Sequence, residues 1–274
     1  MKTPIEQVQE LILKYDFSKV NFNKAYDPDD EDKAYYDGLR QVDKPFTEVS
    51  NQVLHDSFKY FIDIEKKKAP SKLGYSKEGG YPHMPEDWQL PKDWNQYPFL
   101  AQLNIADFKH LDVENVFPDK GIIYLFQHAD EGKCRIYFLQ DENMALIERT
   151  DIDSFMEDEM PMFFSAGWIF LVRSSDDDDY GSSMYKLIPN DLQQAIEQLL
   201  KAKMQKRSGH KGIEVRPGYW QGENEDWDNE VTEETNNFLL YQTEPDGTTI
   251  HFWINKKDLK AGNFDKAFQT FSGT

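Results

Sequence analysis

The chain has 274 residues, of which 50 are Asp or Glu and 31 are Lys or Arg, giving a formal charge of −19. That charge disfavours a phosphate backbone or an anionic membrane surface, so nucleic acid and membrane are set aside, and two readings stay open: solubility alone, or a basic protein partner attracted by the negative field. Its single cysteine, Cys134, has no second thiol to pair with, which excludes an internal disulfide framework and points to a reducing, cytoplasmic setting.

In chain order, Ile5, Val8, Leu11, Ile12 and Tyr15 recur at helical spacing behind Pro4, so an amphipathic helix is predicted over 4–15. The N-terminus carries no apolar core of signal-peptide length, and no apolar run approaches the roughly 20 residues that a membrane helix needs. The acidic stretch 27–32 reads as a solvated loop. Val53, Phe58, Phe61 and Ile62 fit either a helix or a strand. From Tyr97 onward strands take over: 98–103 behind a proline, then 121–127 and 134–140 as a hairpin rich in β-branched and aromatic residues, with further strands at 145–150, 167–174 and 183–188. Short connections predict antiparallel, meander-like pairing. A helix is predicted from Asn190, which with Gln193 makes an approximate capping box. Leu192, Ile196, Leu199, Leu200 and Met204 form its apolar face, and Gly209 stops it. The segments 255–261 and 263–271 read as short helical turns that bury Phe264, Phe268 and Phe271.

Two stretches echo each other. The first runs Ser71-Lys72-Leu73-Gly74, Gly80-Tyr81-Pro82, Trp88, Phe99-Leu100-Ala101-Gln102 and, after Gly121, the strand from Ile122 to Phe126. The second runs His210-Lys211-Gly212, Pro217-Gly218-Tyr219-Trp220-Gln221, Trp227, Leu239-Leu240-Tyr241-Gln242 and, after Gly247, the strand from Thr249 to Ile254. The expected fold is therefore α+β, predominantly antiparallel β, with two related tandem, pseudo-symmetric halves and peripheral helices. Residues 1–70 form an N-terminal helix and acidic loop region. A domain over 71–274 follows, divided into a first half (71–188), a connecting helix (190–208) and a second half (209–274).

Signs of catalysis are sparse. The sequence has no glycine-rich phosphate loop, no dinucleotide fingerprint and no Gly-x-Ser-x-Gly elbow. The histidines His55, His83, His110, His128, His210 and His251 lack zinc-site spacing. The acidic runs at 176–179 and 223–230 lack the glycine and closing glutamate of an EF-hand loop. No metal, cofactor or catalytic residue is assigned. Cys134, flanked by Lys133 and Arg135, reads as a core residue before it reads as a nucleophile.

The polar element that repeats is the pair Gln102 and Gln242, each in an apolar strand, where a buried amide needs partners. Two readings stay open: each glutamine braces its neighbouring Gly/Pro/Tyr loop, or both face a cleft between halves, with Lys72, Tyr81, His83, Trp220 and Gln221 at its rim. Glu225, Asp226 and Asp228 make a candidate acidic recognition surface.

The block PFLAQLNIADF (98–108), DKGIIYLFQ (119–127), the runs SKLG and GYP, and the later PGYWQG, NFLLYQ and IHFWINKKDLKAGNFDKAF resemble the bacterial YwqG-like family, a domain-of-unknown-function family, from Ser71 to the C-terminus. The chain departs from it at Glu244-Pro245-Asp246-Gly247, where the family places a tryptophan, glycine and aspartate turn. The resemblance implies an α+β fold with tandem halves and supplies no activity or cofactor. Members occur near toxin and immunity genes in some bacteria, which adds an immunity-like role to the expectations. The functional expectation is a non-catalytic binding protein with a protein partner. The alternative is an enzyme or sensor that holds a small molecule in the cleft; the sequence leaves the oligomeric state open.

Overall fold

The computed structural model describes residues 2–16, 51, 54–55, 58–70, 72–90, 93–128, 133–141, 144–170, 188–204, 212–213, 237–244 and 248–273. Its elements are α1 (Pro4–Lys14), β1 (Phe58–Lys66), β2 (Lys77–Glu78), β3 (His83–Pro85), β4 (Phe99–Asn104), α2 (Ile105–Phe108), β5 (Ile122–Gln127), β6 (Cys134–Leu139), β7 (Leu146–Glu148), β8 (Met160–Phe170), α3 (Asn190–Leu200), β9 (Lys203–Met204), β10 (Gly212–Ile213), β11 (Asn237–Thr243), β12 (Thr248–Asn255), α4 (Lys256–Ala261) and β13 (Phe268–Gly273). Mostly antiparallel sheets with a few helices make this an α+β fold. The predicted loops at 27–32 and 176–179, and the predicted strand at 183–188 apart from Ile188, lie outside the described residues. No helix among the described residues is long and apolar enough to cross a membrane.

The chain divides into two compact units, Met1–Tyr60 with Gly167–Ser208, and Phe61–Ala166 with Gly209–Thr274. In the first, α1 starts at a full capping box: Thr3 Oγ1 accepts from Glu6 N at 3.2 Å and Glu6 Oε2 accepts from Thr3 N at 2.8 Å. Val8 and Ile12 bury its apolar face. Asn51 Nδ2 donates to the Ile12 and Tyr15 carbonyls, satisfying acceptors that the helix end leaves open. Tyr15 donates to Asp191 of α3 at 2.7 Å.

The second helix differs from its prediction at both ends. Asn190 is already helical and makes no side-chain cap; the extended residue before it is Pro189, whose carbonyl accepts from Gln193 N at 2.9 Å. The Gln193 amide turns forward to Glu197 instead of back to the cap. The helix stops at Leu200 because Lys201 adopts a left-handed φ of 52°, and β9 follows, parallel to β8 at Gly167 and Trp168. Leu192, Ile196 and Leu200 form the buried face, and Leu199, expected on it, is exposed.

In the second unit the strands follow the order β10-β1-β8-β2-β4-β5-β6, beside a three-stranded sheet β11-β12-β13 and a two-stranded sheet β3-β7. β4-β5-β6 and β11-β12-β13 are antiparallel meanders; β2, two residues long, sits between β8 and β4. The undecided segment at Phe58 is a strand, and the helical turn predicted over 263–271 is present at Phe264–Lys266 but gives way to β13, paired with β12 from Trp253↔Phe268 to Thr248↔Gly273. Of the three phenylalanines expected to be buried, Phe264 is, whereas Phe268 and Phe271 are half-buried. The β4/β5 and β11/β12 hairpins both skip a register step, at Leu100 and at Leu240, two residues before Gln102 and Gln242 respectively. Each of β4 and β12 also ends in an asparagine, Asn104 or Asn255, whose side chain caps the short helix that follows. Met84, Phe99, Ile122, Tyr124, Phe126, Leu139 and Ile152 pack as a core cluster, flanked by the half-buried Trp88, Trp94 and Leu146.

Candidate functional site

The site grows from the run Ser76-Lys77-Glu78-Gly79-Gly80. Strand alternation sends the Lys77 and Glu78 side chains to opposite faces of β2, and both are buried. Gly79 and Gly80 follow with left-handed φ of 71° and 62°; a Cβ on Gly79 would stand 2.2 Å from the Asp158 carbonyl oxygen, so only glycine lets this turn lie against 156–159. Gly80 N donates to Met156 O at 2.9 Å. The chain then reverses through Tyr81 and Pro82 into β3.

Lys77 pairs in register with Gln102 of β4, so the two side chains share a face. Gln102 is fully buried; its Oε1 accepts from His83 N at 2.8 Å and its Nε2 donates to Tyr75 O, which fixes the amide's orientation through two backbone groups. Gly74 N also donates to His83 Nδ1 at 3.1 Å, and Tyr124 OH donates to His83 O at 2.6 Å. Lys77 Nζ donates to Tyr81 O at 2.6 Å and to Glu159 Oε2, and lies 3.2 Å from His83 Nε2. Burial pushes the Lys77 pKa down while the Glu159 and Glu148 carboxylates act to raise it. Burial first, and the Lys77 charge second, hold the His83 imidazole down to about 4, so it is neutral at pH 7.

His83, Glu148 and Glu159 bring ligand-type atoms within 4.8 Å of one another. The donor set nevertheless does not fit a cation. Lys77 Nζ, 3.2 Å from His83 Nε2 and bonded to Glu159, stands where a cation shared by the three groups would sit, while Gly74 N–H at 3.1 Å and the Gln102 amide at 3.4 Å already meet Nδ1. Lys77 itself supplies the positive charge between the carboxylates.

On the other face of β2, Glu78 accepts from Lys66 Nζ at 2.6 Å, from Thr243 Oγ1 at 2.6 Å and from Tyr241 OH. Lys66 Nζ also reaches Thr243 Oγ1 at 2.9 Å. Burial, then the Glu78 charge, drives the Tyr241 phenol far up, so it stays protonated and donates.

Of the candidate cleft residues, Tyr81, His83 and Gln102 therefore meet around Lys77. Lys72 stands apart, its Nζ 5.4 Å from the Tyr75 ring centre. Gln242 pairs in register with His251 within the β11-β12-β13 sheet, and its buried Oε1 has no hydrogen-bond partner among the described residues. Trp220, Gln221, Glu225, Asp226 and Asp228 lie outside the described residues. Burial pushes the thiol of the half-buried Cys134 up to about 12, which leaves it neutral at pH 7. The reading of residues alone passed over Lys77, Glu78, Glu148 and Glu159. The signal was present as a second Ser-Lys-x-Gly run, Ser76 to Gly79, directly after the one at Ser71 to Gly74.

These features define an α+β domain organised around buried, internally paired charges. The chain belongs to the family described as a domain of unknown function (DUF1963), whose model matches residues 76–272. No curated protein matches it.

Proposed function

We propose that this chain is a non-catalytic binding protein of the bacterial cytoplasm, from a YwqG-like branch of its family, and that its partner is a protein with a basic face. The observation that carries the reading is a concentration of exposed apolar surface. Of the seven large apolar side chains exposed among the described residues, Met144 and Ile147 lie just before and on β7, Leu73 precedes Gly74, which Leu146 approaches, and Tyr81 precedes Pro82, which accepts from Arg149 N. Side chains of this size left in water beside charged ones mark interaction surfaces. The polar cluster under them supports the same reading: Lys77, His83 and Gln102 use their donors and acceptors on one another, on Glu159 and on loop backbone, and so brace the loops instead of facing a ligand. An immunity-like role is the form that the family resemblance suggests. We also propose that the two strand pairs descend from a repeated unit, supported by the register skips at Leu100 and Leu240, each two residues before a glutamine.

The test is affinity capture, followed by binding kinetics with the purified partner at two salt concentrations. Neutralising Glu225, Asp226 and Asp228 together should slow association and flatten its salt dependence, whereas Trp220→Ala should speed dissociation. If no protein binds and a small metabolite instead raises the melting temperature, the reading is wrong and the chain is a small-molecule binder.

A further inference from the structure

Resting on the protein-binding reading, we infer that the partner engages by adding an extended, lysine- or arginine-bearing segment to the outer edge of β7. β7 pairs with β3 in a two-stranded sheet, with His83↔Glu148, Met84↔Ile147 and Pro85↔Leu146 opposite one another. Arg149 N donates inward to Pro82 O at 3.0 Å. Counting back in twos along an antiparallel ladder, Ile147 also spends its backbone groups on β3, whereas Leu146 and Glu148 direct theirs to the opposite side. Glu148 O is taken by Thr150 N at 3.2 Å. Leu146 N–H, Leu146 C=O and Glu148 N–H remain as a short template, and no second strand pairs with that side among the described residues.

The side chains state what the template accepts. Leu146 turns inward and packs against the core cluster, with its Cδ1 3.1 Å from where a Cβ on Gly74 would stand, which places the neighbouring, exposed Leu73 beside β7. Ile147 points out, with Met144 exposed just before it, so an incoming strand meets apolar anchors. Asp141, Glu148 and Asp151 are exposed on the same segment, and Glu86 and Asp87 follow β3. Arg149 offsets only Asp151, on which its Nε and Nη2 close at 2.8 Å, while its Nη1 donates to the Pro85 carbonyl at 3.2 Å. The partner segment therefore alternates cationic and apolar residues and supplies backbone donors and acceptors.

The probe is a short synthetic peptide alternating valine and lysine, titrated into the full chain and followed by amide NMR. Shifts should centre on Leu146, Ile147 and Glu148, amide exchange at Leu146 and Glu148 should slow by about tenfold or more at saturation, and Ile147→Lys should weaken binding by about tenfold. A valine–glutamate peptide and a version with proline at alternate positions should both fail, the first on charge and the second for want of N–H donors. Equal binding of the proline peptide, or shifts spread over acidic groups away from β7, overturns strand addition. Concentration-dependent self-association that Ile147→Lys abolishes also overturns it, because the occupant is then a second copy. If the captured natural partner footprints elsewhere, this inference alone fails; if no protein partner exists, the broader reading fails with it.

Discussion

Gln102 and Gln242 hold matching places beside matching bulges, yet leucine at each position should have opposite consequences. Gln102→Leu strands two buried backbone groups, His83 N–H and Tyr75 C=O, and removes a donor from His83 Nδ1. Each of the two orphaned groups costs about 1–3 kcal/mol, and leucine recovers about 1 kcal/mol by burying a less polar side chain, so the net loss is about 1–5 kcal/mol. At roughly 2–4 °C per kcal/mol for a chain of this size, the melting temperature should fall by about 2–20 °C. Gln242→Leu removes a buried Oε1 that has no partner among the described residues, so its effect should lie within about 1 kcal/mol of zero and can be stabilising. Urea unfolding reads both variants: the midpoint should drop for Gln102→Leu with the slope unchanged and hold for Gln242→Leu. Amide exchange at His83 should accelerate in the first variant only. Equal midpoints for the two variants refute the bracing role of Gln102.

Three further outcomes are expected. Glu78→Ala leaves the Lys66 ammonium, the Tyr241 hydroxyl and Thr243 without their shared acceptor and should cost about 3–5 kcal/mol; adding Lys66→Met should recover part of that in a double-mutant cycle on urea midpoints. Burial depresses both His83, to about 4, and His251, to about 3, so the unfolded chain takes up protons near pH 6.5 that the folded chain refuses. Their contribution is complete above pH 6.5 and is lost as pH falls toward 4 and then 3, with a slope of at most about 1.4 kcal/mol per pH unit for each group. Urea midpoints that stay flat between pH 7 and 5 contradict it. The Cys134 thiol, pushed up to about 12, should react with iodoacetamide at pH 8 at least about tenfold more slowly than free cysteine, measured by intact mass; a rate equal to free cysteine contradicts its burial.

What was legible in the sequence followed the strength of local signals. The α1 helix, the β5/β6 hairpin and the Pro98-led strand announce themselves through period and punctuation, and the structure places them within a residue or two. The α3 end was misread because the Lys201 left-handed turn has no glycine to mark it, and the lysines beyond it suit a helix terminus equally well. The Gln102 brace was legible because an amide inside an apolar strand must find partners. The charges around it were not. Lys77 and Glu78 look like surface residues in any window of sequence, and what makes them core residues is the arrival of Glu159, Lys66 and Thr243 from distant positions.

Those two adjacent charges explain how a strand of two residues holds its place between β8 and β4. Hydrophobic alternation cannot fix so short a segment, because a slip by one residue leaves little apolar pattern to violate. Charge can. Such a slip sends the Glu78 carboxylate toward Glu148 and Glu159, and the Lys77 ammonium toward Lys66, so each buried pair becomes a like-charge contact. Buried ion pairs add little net stability over a well-packed apolar pair, but breaking one is expensive, which makes them better at rejecting a wrong register than at stabilising the right one. The Gly79-Gly80 turn completes the constraint, since its close approach to Asp158 leaves no room for the extra residue that a slip brings in. The register of β2 positions the Tyr81–His83 loop, and through His83↔Glu148 it positions β7. The buried charges therefore act on the exposed edge without touching it: they set where Leu146 and Glu148 present their backbone groups, and loss of either pair should loosen that edge before it unfolds the sheet.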